Sequence, residues 1–160
     1  MRILFVCLGN ICRSPTAEGV MAKLVAEAGL GDAIELDSAG TGAWHIGEPA
    51  DARARKAALA RGIELHSIGR QVAVADFERF DLILAMDGSN QDALRQLAPD
   101  EDAREKVGLL REFDPASAAE HDLDVPDPYY DSQRGFEIVL DLVQAACEGL
   151  LEHARSREPL

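Results

Sequence analysis

The feature that most constrains the fold of this chain is a short apolar run, which is followed by a cysteine-containing loop and then by a helix pattern. Residues 2–6 read Arg-Ile-Leu-Phe-Val, which is typical of a strand covered on both faces of a parallel sheet. Residues 7–14 follow as Cys-Leu-Gly-Asn-Ile-Cys-Arg-Ser. Ser14 is suited to cap a helix and Pro15 to its first turn, and apolar residues then recur at helical spacing until Gly29. We therefore predict a strand, a loop and a helix whose N terminus points back at the loop.

The remainder of the chain alternates between strand and helix patterns. Further strands are predicted over residues 33–38, 81–86 and 106–110, and further helices over residues 51–61, 87–97 and about 131–153, with a short acidic helix before the fourth strand. Residues 39–50, with Trp44 and His45 exposed among them, and residues 113–130 have loop composition, and residues 72–80 are predicted as a short strand-like piece followed by a helical turn.

This alternation predicts an α/β fold of three layers, a doubly wound four-stranded parallel sheet with helices on both faces. At 160 residues the chain is expected to form a single domain over residues 1–160. Ligands of such sheets bind beyond the carboxyl ends of the strands, and Cys7 lies at one of these ends.

Charge and cysteine content limit the expected partners and compartment. The net charge of −13 disfavours nucleic acid and anionic membranes as general partners, because the summed field would repel both. Three cysteines do not suit a disulfide framework, and the opening apolar run is too short for a signal peptide or a membrane span. We expect a soluble cytoplasmic protein without a membrane partner, and export without a signal peptide stays open.

The loop after the first strand has the composition of an anion site that contains a nucleophile. A Cys-x5-Arg spacing alone is a weak signal, because three cysteines and 13 arginines in 160 residues produce it by chance about one time in four. Here the pair brackets a strand-to-helix loop in which Gly9 permits close approach of a ligand and Asn10 tolerates left-handed torsions. The helix dipole, the loop N–H groups and Arg13 favour the nucleophilic thiolate form of Cys7. Arg13 also has a planar guanidinium group that can donate hydrogen bonds to two phosphate oxygens at once. These hydrogen bonds are strongest in the transition state of phosphoryl transfer.

Two further residues have candidate roles in the same chemistry. Ser14 either hydrogen-bonds the Cys7 thiolate and eases its departure in a second step, or caps the helix, or does both. A leaving group also needs a proton, and the loop contains no acid. Asp127 is the candidate general acid, because it lies in a long loop between Pro126 and Pro128 with aromatic residues beside it.

Four segments together carry a family resemblance. They are Val6-Cys7-Leu8-Gly9-Asn10-Ile11-Cys12-Arg13-Ser14-Pro15 with Ala17-Glu18, Asp37-Ser38-Ala39-Gly40-Thr41-Gly42, Met86-Asp87, and Asp127-Pro128-Tyr129-Tyr130. Over nearly its whole length the chain resembles the low-molecular-weight protein tyrosine phosphatases. The resemblance implies that the protein hydrolyses phosphotyrosine in proteins, and small aryl phosphates, in two steps through a cysteinyl-phosphate. It also implies that the reaction needs no metal or other cofactor. Cys7 would be the nucleophile, Arg13 the phosphate clamp, and Asp127 first the acid and then the base.

The resemblance also implies roles for other residues. The implied substrate-binding residues are Leu8, Gly9, Asn10, Ile11 and Cys12 of the loop, together with Trp44, Tyr129 and Tyr130, which wall a deep pocket suited to an aryl ester. Ile11 favours phosphotyrosine, since relatives specific for phosphoarginine tend to carry threonine there. Asn10, Ser14 and Ser38 match a hydrogen-bond network that shapes the loop. Asp87 matches a residue that braces the loop, and a plain helix cap is equally compatible with its position.

Three other residues have less certain places in this scheme. His66 either joins the network or is a surface histidine, because Ser67 occupies the position where many relatives carry a histidine. Cys12 resembles a second cysteine that forms a reversible, protective disulfide with the nucleophile, and its alternative is a small buried residue. Cys147, on the apolar face of the last helix, is predicted to lie in the core.

Other functions stay open on the sequence alone. An arsenate reductase has the same fold and loop, but it needs extra redox cysteines near residues 80–90, where this chain has none. A non-catalytic phosphate or phosphopeptide-binding protein is disfavoured by the presence of both Cys7 and Asp127. A phosphocarrier with a phosphorylated cysteine is disfavoured by Arg13, since such carriers usually lack the arginine of the Cys-x5-Arg spacing. The expected partners are phosphotyrosine-containing proteins, and the expected oligomeric state is a monomer or a weak dimer.

Overall fold

A four-stranded parallel sheet lies at the centre of the protein, whose computed structural model describes residues 1–157. The strands are β1 (Arg2–Cys7), β2 (Glu35–Gly40), β3 (Leu82–Ala85) and β4 (Val107–Leu109). They lie in the order β2-β1-β3-β4, and each neighbouring pair is parallel. The predicted fold class is therefore confirmed. The single-domain interpretation of residues 1–160 stays a prediction, and its last three residues, 158–160, lie outside the described residues.

Helices cover both faces of this sheet. They are α1 (Arg13–Glu27), α2 (Ala52–Leu59), α3 (Asp76–Arg79), α4 (Gly88–Leu97), α5 (Glu101–Glu105), α6 (Pro115–Glu120) and α7 (Gln133–Arg157). The apolar residues of α1, α2 and α7 form one core with one face of the sheet. Those of α3, α4 and α5 form a second core with the other face.

The side chains of β1 divide these two cores. Ile3 and Phe5 point into the core under α1 and α7, whereas Leu4 and Val6 point into the core under α4. All four are 0% exposed. Successive strand residues point to opposite faces, so burial on both faces accounts for the uninterrupted apolar run of β1.

Three predicted elements differ from the observed ones. Helix α1 begins at Arg13 rather than Pro15, and Ser14 lies inside its first turn, so the prediction that Ser14 caps the helix is wrong. Residues 113–130 are not loop throughout, because α6 begins at Pro115 with the Asp114 side chain as its cap. Residues 72–80 contain the helical turn α3 but no strand.

The carboxyl end of β1 is where the order of the strands reverses, because the chain continues to β2 on one side and later to β3 on the other. The neighbouring loops are joined to this end by backbone hydrogen bonds. Thr41 N donates to Cys7 O at 2.9 Å, and Met86 N donates to Val6 O at 3.0 Å. Such a switch point is the usual ligand site of a doubly wound sheet. Within residues 1–157, no helix combines the length and the apolar character needed to span a membrane.

Candidate active site

A cavity of about 420 Å³ opens where these loops meet. Its lining residues are Cys7, Leu8, Gly9, Ile11, Cys12, Arg13, Trp44, His45, Asp127, Tyr129 and Tyr130. All of them except His45 are residues that the sequence assigns to the site. The fold therefore brings the loop after β1 together with two loops that lie far from it in the sequence.

Cys7 is the last residue of β1 and its sulfur faces this cavity. The backbone N–H of Asn10 donates to Cys7 Sγ at 3.2 Å, and Ser14 Oγ lies 3.0 Å from the same sulfur. The N terminus of α1 begins only a few residues further on, and its first N–H groups have no intrahelical partner. The Cys7 sulfur thus lies against a backbone N–H group, a hydroxyl group and the start of a helix. The hydroxyl of Ser14 therefore contacts the Cys7 sulfur and does not cap α1.

Asn10 holds the loop in shape through every hydrogen-bonding group of its side chain. Its backbone has a positive φ of 58°, a conformation that asparagine tolerates better than most residues. Asn10 Nδ2 donates to Ser14 Oγ at 2.8 Å and to Ser38 Oγ at 3.0 Å, and Asn10 Oδ1 accepts from Arg70 N at 3.0 Å. The side chain is buried in this network and does not line the cavity. The side chain of Asn10 therefore supports the shape of the loop, and the assignment of Asn10 to substrate binding stays a prediction.

Arg13 lies in the first turn of α1 and is only 2% exposed. Arg13 Nη1 donates to Asp87 Oδ2 at 2.6 Å and to Val125 O at 2.9 Å. Burial opposes the charge of the guanidinium, but the neighbouring Cys7, Asp87 and Asp127 together raise the pKa of Arg13 above its ordinary value. The arginine is thus held charged and fixed in direction.

Asp87 has both of the roles that the sequence leaves open, because it contacts the loop residue Arg13 and also caps a helix. One carboxylate oxygen receives the hydrogen bond from Arg13, while Asp87 Oδ1 accepts from Asn90 N at 2.8 Å and caps α4. A single side chain therefore joins the predicted phosphate loop, residues 7–14, to the end of β3 and the start of α4.

Asp127 lies on the wall of the cavity, with 46% of its side chain exposed. Its Oδ2 atom is 3.6 Å from Arg13 Nη2, and its Oδ1 atom accepts from Tyr129 N at 3.1 Å. An anion that is bound by Arg13 would therefore lie beside this carboxyl group.

Aromatic side chains form the rim of the cavity. Trp44 is 69% exposed and Tyr130 is 97% exposed, whereas Tyr129 is more covered and packs edge to face on Tyr130 with 4.9 Å between ring centroids. Exposed aromatic surface around a cavity is suited to a flat, apolar group. The cavity therefore offers an anion site at its base and an apolar rim.

His45 also lines the cavity, although the composition of its loop predicts an exposed side chain without a role in the site. The side chain is 26% exposed, and its Nδ1 atom lies 2.5 Å from Glu48 Oε2. Its ring packs so closely over the phosphate loop that a Cβ atom at Gly9 would lie 3.1 Å from His45 Cδ2. The adjacent Trp44 was the available signal, but the contact with Gly9 joins residues that only the fold brings together.

His66 does not join the network around Asn10. Its side chain is 81% exposed, and its Nε2 atom forms an ion pair with Glu64 Oε2 at 3.0 Å. The backbone N–H of Arg70 provides the long-range contact to Asn10 instead. The interpretation of His66 as a supporting residue is therefore wrong, and the surface interpretation is confirmed.

The three cysteines, Cys7, Cys12 and Cys147, are unpaired thiols. Burial, together with the nearby Asp51 and Cys7, raises the pKa of Cys12 to about 12. Cys147 is 0% exposed in the core, as predicted, and burial raises the pKa of its thiol as well. A neutral thiol at position 12 thus lies in the same cavity as Cys7, and its redox role stays a prediction.

In the part of the chain that the structure describes, no group of three or more histidine, cysteine, aspartate or glutamate residues could hold a metal ion.

Together, the fold and this cavity define a class. The protein is an α/β protein with a cysteine at the carboxyl end of its first strand, in a loop that leads into the first helix, which is a place suited to an anion. The sequence profile of a family described as low molecular weight phosphotyrosine protein phosphatase matches residues 2–159. The chain belongs to this family, as its four motif segments predict.

Individual relatives agree with this membership. A low molecular weight protein-tyrosine-phosphatase of Streptomyces coelicolor is 51% identical over 156 residues, which are 98% of this chain and 94% of that protein. A low molecular weight phosphotyrosine protein phosphatase of Gallus gallus is 41% identical over 151 residues, or 94% and 93% of the two chains. The crystal structure of a protein tyrosine phosphatase from Entamoeba histolytica superposes with a TM-score of 0.92 at 42% identity, covering 98% of this chain and 97% of that one.

Proposed function

We propose that this protein hydrolyses phosphotyrosine in proteins, and small aryl phosphates, in two steps through a cysteinyl-phosphate. The observation that carries the proposal is the arrangement of three groups around one cavity. The Cys7 sulfur is already hydrogen-bonded, the charged Arg13 lies beside it, and the Asp127 carboxyl lies 3.6 Å from Arg13. The relatives named as protein tyrosine phosphatases support the same activity.

In the first step the Cys7 thiolate attacks phosphorus, so that an S–P bond forms as the ester P–O bond breaks. Asp127 gives its proton to the departing phenolic oxygen. Arg13 and the loop N–H groups bind the equatorial oxygens of the transferring phosphoryl group, where charge is distributed in the transition state. The tyrosine side chain then leaves with its hydroxyl restored.

In the second step Asp127, now a carboxylate, removes a proton from a water molecule that attacks the phosphorus of the cysteinyl-phosphate. The S–P bond breaks and its electron pair returns to sulfur as inorganic phosphate is released. Ser14 Oγ at 3.0 Å and the N–H of Asn10 at 3.2 Å stabilise the sulfur as it leaves. The same contacts therefore serve the nucleophile in step one and the leaving group in step two.

The rim supports an aryl ester as the substrate. Trp44, Tyr129 and Tyr130 can pack on a tyrosine ring while its phosphate reaches Cys7 at the base of the cavity. A phosphoserine side chain is shorter and has no ring to fill the same rim. We expect a phosphotyrosine peptide to be hydrolysed at least about 10²-fold faster than its phosphoserine counterpart of the same sequence, the scale on which misplaced reacting groups lose rate.

The proposed partners and setting follow from surface charge. The net charge of −13 supports the proposal that the protein does not bind nucleic acid or anionic membranes. We also propose that it is a cytoplasmic monomer or weak dimer that acts on phosphotyrosine-containing proteins. Sedimentation at increasing protein concentration tests the oligomeric state. A stable dimer at low micromolar concentration would contradict it.

The activity is tested with 4-nitrophenyl phosphate and Cys7→Ser. We expect the wild-type protein to hydrolyse the ester equally well with and without a metal chelator, and vanadate or thiol alkylation to block it. Cys7→Ser should lose the activity. Full activity of Cys7→Ser, or no hydrolysis by the wild type, would contradict the proposal.

A further inference from the structure

The N terminus of α2 contacts both loops of the proposed active site. On one side, Asp51 N donates to Ile11 O of the phosphate loop at 2.8 Å. On the other side, Arg53 Nη2 donates to Tyr129 O at 2.9 Å, and Arg53 Nη1 lies 3.5 Å from Asp131 O. Tyr129 follows Asp127 by two residues and donates its own N–H to that carboxyl group. Residues 51–53 therefore connect the loop of the nucleophile to the loop of the acid.

Arg53 is held in a fixed direction before it reaches the acid loop. Its Nε and Nη2 atoms donate to the two carboxylate oxygens of Asp51 at 3.1 and 3.0 Å, which is a two-point contact between planar groups. The guanidinium also lies over the ring of Phe136, with 4.7 Å to the centroid. Burial opposes the charge of Asp51, but the contacts from Arg53 hold the pKa of Asp51 below its ordinary value. The pair is therefore charged and rigid.

The other end of the acid segment is held in a similar way. Arg111 donates to Asp124 O, and Arg13 donates to Val125 O at 2.9 Å. Arginine side chains thus bind backbone carbonyls on both sides of Asp127. Arg53 differs from Arg13 and Arg111 because it binds the backbone after Asp127, whereas the other two bind the backbone before it.

We propose that Arg53 is a positioning residue for the general acid, which sets the place of Asp127 relative to Cys7 by joining α2 to the backbone at Tyr129. The inference rests on the proposed function, because it takes Asp127 as the acid. Loss of Arg53 leaves the nucleophile and Arg13 in place but loosens the segment that carries the acid. A displacement of about 1 Å of a reacting group can cost on the order of 10²-fold in rate.

The test compares two esters whose need for an acid differs. Phenyl phosphate has a poor leaving group that requires protonation, whereas 4-nitrophenolate leaves without it. With Arg53→Ala we expect the kcat/KM for phenyl phosphate to fall by about 10- to 100-fold, and that for 4-nitrophenyl phosphate by less than about threefold. Arg55→Ala is the matched control, since it removes an arginine from the same helix whose Nε atom donates to Ala50 O at 2.9 Å. It should change neither value.

A double-mutant cycle separates positioning from a general loss of structure. In an Asp127→Asn background, Arg53→Ala should have no further effect on phenyl phosphate, because the group that it positions is already gone. Arg53→Lys keeps the positive charge but loses the planar fork. Its kcat/KM for phenyl phosphate should therefore lie between the values of wild type and Arg53→Ala. If thermal unfolding shows that Arg53→Ala does not fold, Arg53→Lys carries the same comparison.

Equal losses for the two esters, or an undiminished loss in the Asp127→Asn background, would overturn the role of Arg53. Failure of the proposed function would look different. The wild type would then hydrolyse neither ester, or Cys7→Ser would retain the activity. A selective loss for phenyl phosphate that disappears without Asp127 is the result that we expect.

Discussion

Replacing Asn10 is predicted to destabilise the protein more than any surface change, because one side chain holds three elements together. Asn10 hydrogen-bonds Ser14 in α1, Ser38 in β2 and the backbone N–H of Arg70. Asn10→Ala removes all three bonds and leaves buried hydroxyl groups with fewer partners. It also places alanine at a φ of 58°, where a Cβ atom is strained.

The magnitude follows from these contacts. Each lost hydrogen bond costs about 1 kcal/mol net, and the left-handed backbone costs about 1 kcal/mol more for alanine. We therefore expect Asn10→Ala to lower the free energy of unfolding by about 4 kcal/mol, a large part of the roughly 5–15 kcal/mol of a typical domain. Asn10→Gly loses the same hydrogen bonds but adopts the positive φ more easily, so it should be the less destabilised variant by about 1 kcal/mol.

Urea unfolding of the wild type and the two variants measures both quantities. The midpoint concentrations should fall in the order wild type, Asn10→Gly, Asn10→Ala, with similar slopes against urea. A loss of less than about 1 kcal/mol in both variants would show that the network does not stabilise the fold. Equal losses in both would refute the argument from the backbone conformation.

Three further predictions concern the site and its surroundings. Asp87→Asn should lower kcat/KM about tenfold, because it removes the charged partner of Arg13. The free energy of unfolding should change by less than about 1 kcal/mol, because asparagine also caps helices. Unchanged kinetics would contradict the role of Asp87 at Arg13. His66→Ala should leave kinetics and urea midpoint unchanged to within about 0.5 kcal/mol. At neutral pH iodoacetamide should label Cys7 and spare Cys12, because the raised pKa of Cys12 keeps its thiol protonated. Peroxide should produce a disulfide between the two cysteines. A sulfinate at Cys7 beside an unmodified Cys12 would refute the protective role of Cys12.

The sheet could be predicted from the sequence because its signals are local. The apolar run of residues 2–6 and the helical spacing after Pro15 need no knowledge of distant residues. The start of α6 also had a local signal, since Asp114-Pro115 is a typical cap and first-turn pair, although its position in a proline-containing segment favoured a loop interpretation.

The errors within the site arise from contacts between distant residues. Whether the Ser14 hydroxyl caps α1 or approaches Cys7 depends on where β1 ends relative to the helix. His45 becomes a wall residue because its loop folds over Gly9. Arg53 is one of 13 arginines, and its carbonyl partners lie 76 and 78 residues further along the chain. Spacing along the sequence contains no signal for such contacts.

The covalent intermediate tests the central claim most directly. Asp127→Asn should still accept phosphate from 4-nitrophenyl phosphate, whose leaving group needs no acid, but should release it slowly because the base of the second step is missing. Rapid quenching followed by mass analysis of the peptides should then find one phosphoryl group on Cys7, and none when Cys7→Ser is added. A phosphoryl group on another residue, or steady release of nitrophenol without phosphate on Cys7, would contradict the mechanism.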